Sequence, residues 1–192
     1  MAERLIDALR RLNRGLAYAV GVLLLLCAGA VLADVALRQV GASFGGADEI
    51  SGYVMAIATS WGMAYTLLEL GHVRIDLARR RSGPPGRALF DLLAMAVTAA
   101  VAVLVAVQCW PVLARSIDNG SRANTSLETP LAWVQGPWFA GWVWFAVMTC
   151  VTTLAAAAMI LRGDLAAGER TIGTLGELDA ASAMGTGPGG AA

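Results

Sequence analysis

Four long apolar runs divide the chain, from Leu16 to Leu37, Ile50 to Leu70, Ala88 to Leu113 and Trp138 to Leu161. Each reaches the about 20 residues that cross a bilayer as helix. They use up most of the 192 residues. Three short connections and two tails remain, too little for a soluble catalytic domain of ordinary size. With 57% hydrophobic and 15% charged residues, the chain reads as an integral membrane protein. The expected fold is an all-α bundle of four transmembrane helices over 16–161, after an N-terminal segment 1–15 and before a tail 162–192.

The formal net charge is zero, and its distribution carries the information. Arg4, Arg10, Arg11 and Arg14 precede the first span, Arg74, Arg79, Arg80, Arg81 and Arg87 fill the second connection, and Arg162 and Arg170 follow the fourth span. The first connection offers only Arg38, and the third only Arg115 and Arg122. Basic residues resist translocation, so both termini are expected on the cytoplasmic side of a bacterial inner membrane, with residues 38–49 and 114–136 outside. The Arg-rich start and Ala28-Gly29-Ala30 also fit a signal peptide with its cleavage site. The apolar run exceeds the 7 to 15 residues typical of such peptides, so an uncleaved first helix is expected.

Trp110, Trp133, Trp138 and Trp142 gather toward the outer ends of the third and fourth spans, where indole rings anchor between hydrocarbon and headgroup. Trp61 and Tyr65 lie deeper and read as packing residues. Gly52, Ala56, Ser60 and Ala64 recur every four residues, a stripe of small side chains that suits close helix contact in lipid. Few charges enter the spans. Asp34 and Arg38 can pair across one helical turn near the outer surface, and Asp91 lies one turn after Arg87 at the inner surface. No span has a carboxylate near its middle, as a proton-driven exchanger would need.

Several chemistries lack their residues. One histidine, His72, excludes bis-histidine haem ligation and disfavours a histidine-rich zinc site. Cys27, Cys109 and Cys150 form no C-x-x-C pair, and the absence of lysine excludes a P-loop. Ser60 and His72, twelve residues apart, would be separated by about 18 Å on one helix, too far for a nucleophile and its base. No enzymatic activity, no cofactor and no nucleic-acid partner is expected.

The connection from Leu68 to Arg81 reads as a short amphipathic helix on the cytoplasmic surface. In it Leu70, Val73 and Leu77 share a face, and His72, Asp76 and Arg79 lie opposite. Pro84 and Pro85 then stop it. The alternative is a basic loop that sets topology.

The run from Asp48-Glu49 to Gly71-His72-x-Arg74-x-Asp76 resembles the small membrane subunit of tripartite ATP-independent periplasmic (TRAP) transporters, the DctQ-type family. Arg38 just beyond the first span, and Leu127, Pro130 and Trp133 in a Leu-x-x-Pro-x-x-Trp run before the fourth, are similar to that family too. The resemblance covers about residues 16–161. Glu128 departs from it by placing a charge where a small or apolar residue is usual, and the Gly- and Ala-rich tail has no counterpart, reading as disordered.

The resemblance implies a non-catalytic subunit that braces a large membrane subunit during sodium-coupled uptake of an organic acid delivered by a periplasmic solute-binding protein. Partners would be those two proteins and membrane lipid. The small-residue stripe would dock on the large subunit, and Arg38 and Glu49 would tie the first two helices to each other or to it. His72, Arg74 and Asp76 would fix the inner end of the second helix, leaving Arg74 for lipid phosphate or a partner. Two competing readings are a stand-alone four-helix exchanger and a membrane anchor of a redox complex. The solute is open among dicarboxylates, sugar acids and keto acids.

Overall fold

The structure, a computed structural model, describes residues 2–43, 45–69 and 81–172. These residues are all-helical apart from one isolated bridge between Arg122 and Pro130. Four long helices, α1 (Ala2–Arg38), α2 (Ala47–Leu68), α3 (Pro84–Asp118) and α4 (Leu131–Leu161), are followed by a short α5 (Leu165–Ile172). Three of them, α1, α3 and α4, are long and apolar enough to cross a membrane. α2 is 22 residues long and opens on two acids, Asp48 and Glu49.

The helices outrun the apolar runs because nothing in the flanking polar sequence breaks them. α3 begins where Pro84 and Pro85 occupy its first turn, positions that need no N–H partner. The prolines expected from the sequence to stop a helix therefore start this one. α1, α3 and α4 all stop by one device. A glycine in left-handed conformation (Gly41, Gly120, Gly163) is followed by a backbone N–H that reaches five residues back, from Ala42 to Leu37, Ser121 to Ser116 and Asp164 to Met159.

Packing order follows small residues. The buried positions of α3 are Ala88, Asp91, Met95, Ala99, Ala102, Ala106, Cys109, Leu113 and Ser116, spaced three or four apart and alternating strictly from Met95 onward. That is a heptad seam, and its alanines let α4 come close. On α4 Gly141, Phe145, Met148, Thr152, Ala155 and Met159 are buried at similar spacing. Thr153 crosses the seam, its hydroxyl donating to the Met95 carbonyl at 3.4 Å. α4 also packs on α2, so α4 is the central helix, and α1 packs on α2 with only a slight touch on α4.

α2 and α4 are closest where Ser60 faces Gly141. A Cβ at position 141 would lie 2.8 Å from the Ser60 Cβ and 3.0 Å from its backbone carbon. Beside this contact the Trp61 indole donates to the Pro137 carbonyl at 3.0 Å and stacks on Trp144, with ring centroids 6.5 Å apart.

The bundle has two ends. One carries the connections 39–46 and 119–130 and is called the two-loop end. The other carries the N-terminal part of α1, the close of α2, the start of α3 and α5, and is called the termini end. The segment after Arg162, expected to be disordered throughout, instead begins with α5. Eight residues suffice there because Ile172 is buried and Gly168 lies against Ile160, so the helix docks on α4 and α3. The expected amphipathic helix between the second and third spans, and the tail from 173, lie outside the described residues.

Candidate functional site

The two-loop end gathers four of the polar side chains singled out from the sequence, Asp34, Arg38, Asp48 and Glu49. Asp34 sits one turn before the end of α1 with only 1% of its surface exposed. A buried carboxylate requires partners. Arg38 supplies two contacts to one of its oxygens, Nε at 2.8 Å and a terminal nitrogen at 2.7 Å. The Ser43 hydroxyl donates to the other oxygen at 2.9 Å. The same Arg38 nitrogen reaches Asp48 of α2 at 4.0 Å. Arg38 thus joins α1 to α2 through Asp34 and Asp48, and among the described residues it forms no pair with Glu49.

Glu49 turns toward the other connection. Tyr53, one turn along α2, donates to its Oε1. The hydroxyls of Thr125 first, then Tyr53, and with smaller effect Thr129 and the Leu127 backbone, favour the charged carboxylate and hold its pKa below the ordinary value. Leu127 lies directly over Gly46, where a Cβ would come within 2.6 Å of its Cγ. Gly46 also has φ +86, so two independent requirements keep this position a glycine. Glu49 and Gly46 on one side, and residues 125–129 on the other, clasp the two connections together.

The connection 119–130 has its own fold. Ala123 donates to Thr129 at 2.9 Å, Leu131 to Ser121 at 3.0 Å, and the Arg122 side chain to the Glu128 carbonyl at 3.3 Å. Glu128 has φ +45 and is exposed, so its charge sits in a turn facing solvent. Pro130 caps α4 with φ −60, and Trp133, 78% exposed, projects from its first turn. Trp110 packs on Phe139 at the same end.

The stripe on α2 divides. Ser60 and Ala64 are buried within the chain, Ser60 against Gly141, whereas Gly52 is exposed and Ala56 half-buried. His72, Arg74 and Asp76 lie outside the described residues.

At the termini end a polar group not anticipated from the sequence holds α1 to α4. Asn13 is 1% exposed, accepts from the Trp144 indole at 3.0 Å, donates to the Leu9 carbonyl at 2.9 Å and approaches the Met148 sulfur at 3.5 Å. Its signal in the sequence was weak, a lone amide among arginines. Gly141 was equally inconspicuous inside an aromatic run. The heptad of α3 could have been counted, but alanine and valine on every face of that run mask it.

This arrangement offers scaffolding. It has a packed seam, a clasped two-loop end and apolar faces on α1 and α3 that no helix among the described residues covers: Val22, Leu25, Leu26 and Leu32 on α1, and Leu93, Val97 and Leu104 on α3. A family model described as "Tripartite ATP-independent periplasmic transporters, DctQ component" matches residues 27–163. That stretch contains the clasp, all of α2, α3 and α4, and the C-terminal third of α1. No curated protein and no solved structure matches the chain.

Proposed function

The chain belongs to the DctQ component family of tripartite ATP-independent periplasmic transporters, being a small membrane subunit of such a transporter, and from that premise we propose that it braces a large transport subunit without moving solute itself. The family match across 27–163 carries this reading. The work proposed for the whole assembly is sodium-coupled uptake of an organic acid delivered by a periplasmic solute-binding protein.

Physical features support each part. A brace needs rigidity, and α4 is held on two sides by small-residue contacts. It also needs uncommitted apolar surface, which α1 and α3 supply. Exposed Gly52 and half-buried Ala56 lie in the half of α2 nearer the two-loop end, and we assign that outer half of the stripe, with Trp133 beside Pro130, to the large subunit. The clasped connections would face the binding protein. For Arg38 and Glu49 the proposed role is to hold the two-loop end in shape. The proposed role of His72, Arg74 and Asp76 is to fix the cytoplasmic end of α2.

The arginine asymmetry supports an orientation with the termini end in the cytoplasm of a bacterial inner membrane and α2 as the fourth crossing. At 22 residues α2 would be about 33 Å long, enough for the hydrocarbon layer. Its two acids then lie at the outer surface.

Purifying a tagged copy from its native membrane in mild detergent tests the reading. A polytopic partner much larger than this chain should co-purify in fixed stoichiometry. Recovery of this chain alone, still folded, from cells that express the whole transporter would contradict it.

A further inference from the structure

Between α1 and α2 at the termini end lies an open cleft of about 380 Å³ lined by Arg14, Ala17, Tyr18 and Tyr65. It sits at the level where the apolar run of α1 begins, two residues past Arg14, and where α2 closes. Glu69, which caps α2, stands beside it, 3.4 Å from a terminal nitrogen of Arg14. That pair is loose. One oxygen meets one of the five N–H donors that a guanidinium carries, and the side chains are 58% and 38% exposed. One turn earlier on the same face of α1, Arg10 has its Nε screened from water with no acceptor among the described residues. Tyr18 and Tyr65 are amphipathic rings of the kind that sit between hydrocarbon and headgroups.

A cation and an anion side by side at that depth, walled by two tyrosines, match a ligand with both charges. We propose that this cleft holds the headgroup of a zwitterionic aminophospholipid, with Arg14 on the phosphodiester and Glu69 on the ammonium. Guanidinium is suited to phosphate because its donors are fixed in a planar fork. A headgroup that brought only negative charge would leave Glu69 facing it. A soluble phosphate ester would meet the same charges without the acyl chains that keep a lipid in the layer. This assignment is independent of the brace role, because it concerns the chain alone and a surface largely outside the residues matched by the family model.

Native mass spectrometry of the delipidated full-length chain tests it, with phosphatidylethanolamine, phosphatidylglycerol of the same acyl chains, and soluble phosphoethanolamine added in turn. The wild type should retain one phosphatidylethanolamine at higher occupancy than phosphatidylglycerol, and no phosphoethanolamine. Arg14→Gln should lower retention of both lipids by about fivefold or more, the size expected when a charged hydrogen bond is lost. Glu69→Gln should lower phosphatidylethanolamine to the phosphatidylglycerol level and leave the latter unchanged. Arg162→Gln, an exposed arginine at the same end, should change neither. Equal retention of the two lipids by the wild type, or unchanged retention in Arg14→Gln, overturns the proposal. Capture of soluble phosphoethanolamine as well as lipid would make the cleft a phosphate site and overturn the lipid assignment. If Arg14→Gln fails to fold, the selective loss in Glu69→Gln decides alone, and its absence overturns the proposal.

Discussion

Helices α1 and α4 both carry a stretch apolar enough to cross a membrane, and α1 is the more hydropathic of the two, yet only 6% of its stretch is buried within the chain against 44% for α4. In water the order would be reversed, because burial there follows apolar area. In lipid the solvent is as apolar as leucine, so leucine gains nothing by leaving it. α4 is buried because Gly141 admits Ser60 and because its own seam of small and polar side chains meets the alanines of α3. α1, rich in leucine, lies along α2, but its buried side chains among those described, Asn13 and Asp34, belong to polar clusters near its ends.

If that contrast is correct, the largest effect comes from filling the α2–α4 contact. Gly141→Leu should cost about 3 kcal/mol by overpacking, read as the shift in unfolding of the purified chain in mixed micelles. Gly141→Ala should be milder, and adding Ser60→Gly should return part of the loss. No rescue by the double change would show that Ser60 is not what Gly141 accommodates. Next, Asp34→Ala should cost about 2 kcal/mol, since it removes the acceptor of both Arg38 and Ser43. Asn13→Ala should cost about 1 kcal/mol, in the range of single interhelical hydrogen bonds in membranes, with a change in Trp144 emission that Asn13→Gln partly restores.

Much of this architecture was legible in the sequence, and the parts that were not share a cause. Length and hydropathy located α1, α3 and α4, because a lipid solvent writes its thickness into the chain. The pairing of Asp34 with Arg38 followed from their spacing, although its burial did not, since burial depended on Ser43 folding back from the connection. Glu49 was placed correctly at the head of α2, but the hydroxyls of Thr125 and Thr129 that favour its charge lie 76 and 80 residues away and leave no local trace. Gly141 and the α3 heptad were masked for the opposite reason. The contacts that decide packing in lipid are made by small residues, which carry little signal in a chain with 22 glycines and many alanines. α5 was missed because eight residues are too short for periodicity to show against a Gly- and Ala-rich background.

The clasp at the two-loop end gives a smaller, pH-dependent effect. The Glu49 carboxyl titrates below its ordinary value of 4.5 when folded, so the unfolded chain takes up a proton first as pH falls. The stability it contributes is complete above that value and is lost as pH drops through the lower folded value. The difference between wild type and Glu49→Gln should therefore shrink to nothing in strongly acidic buffer, and a difference that grew there would show the opposite shift. The smallest effect on the fold belongs to the exposed face of α1. Leu25→Ala with Leu26→Ala should leave the isolated chain within about 0.5 kcal/mol of wild type, while lowering the yield of large subunit that co-purifies.

That last separation, a helix face idle in its own bundle and engaged with a partner, is tested most directly by photo-crosslinking within the assembled transporter. A benzophenone side chain at position 25 is predicted to join this chain to the large subunit, whereas one at buried position 148 should yield only links within the chain. Adducts from position 25 confined to lipid, in a complex that remains intact, would contradict the account.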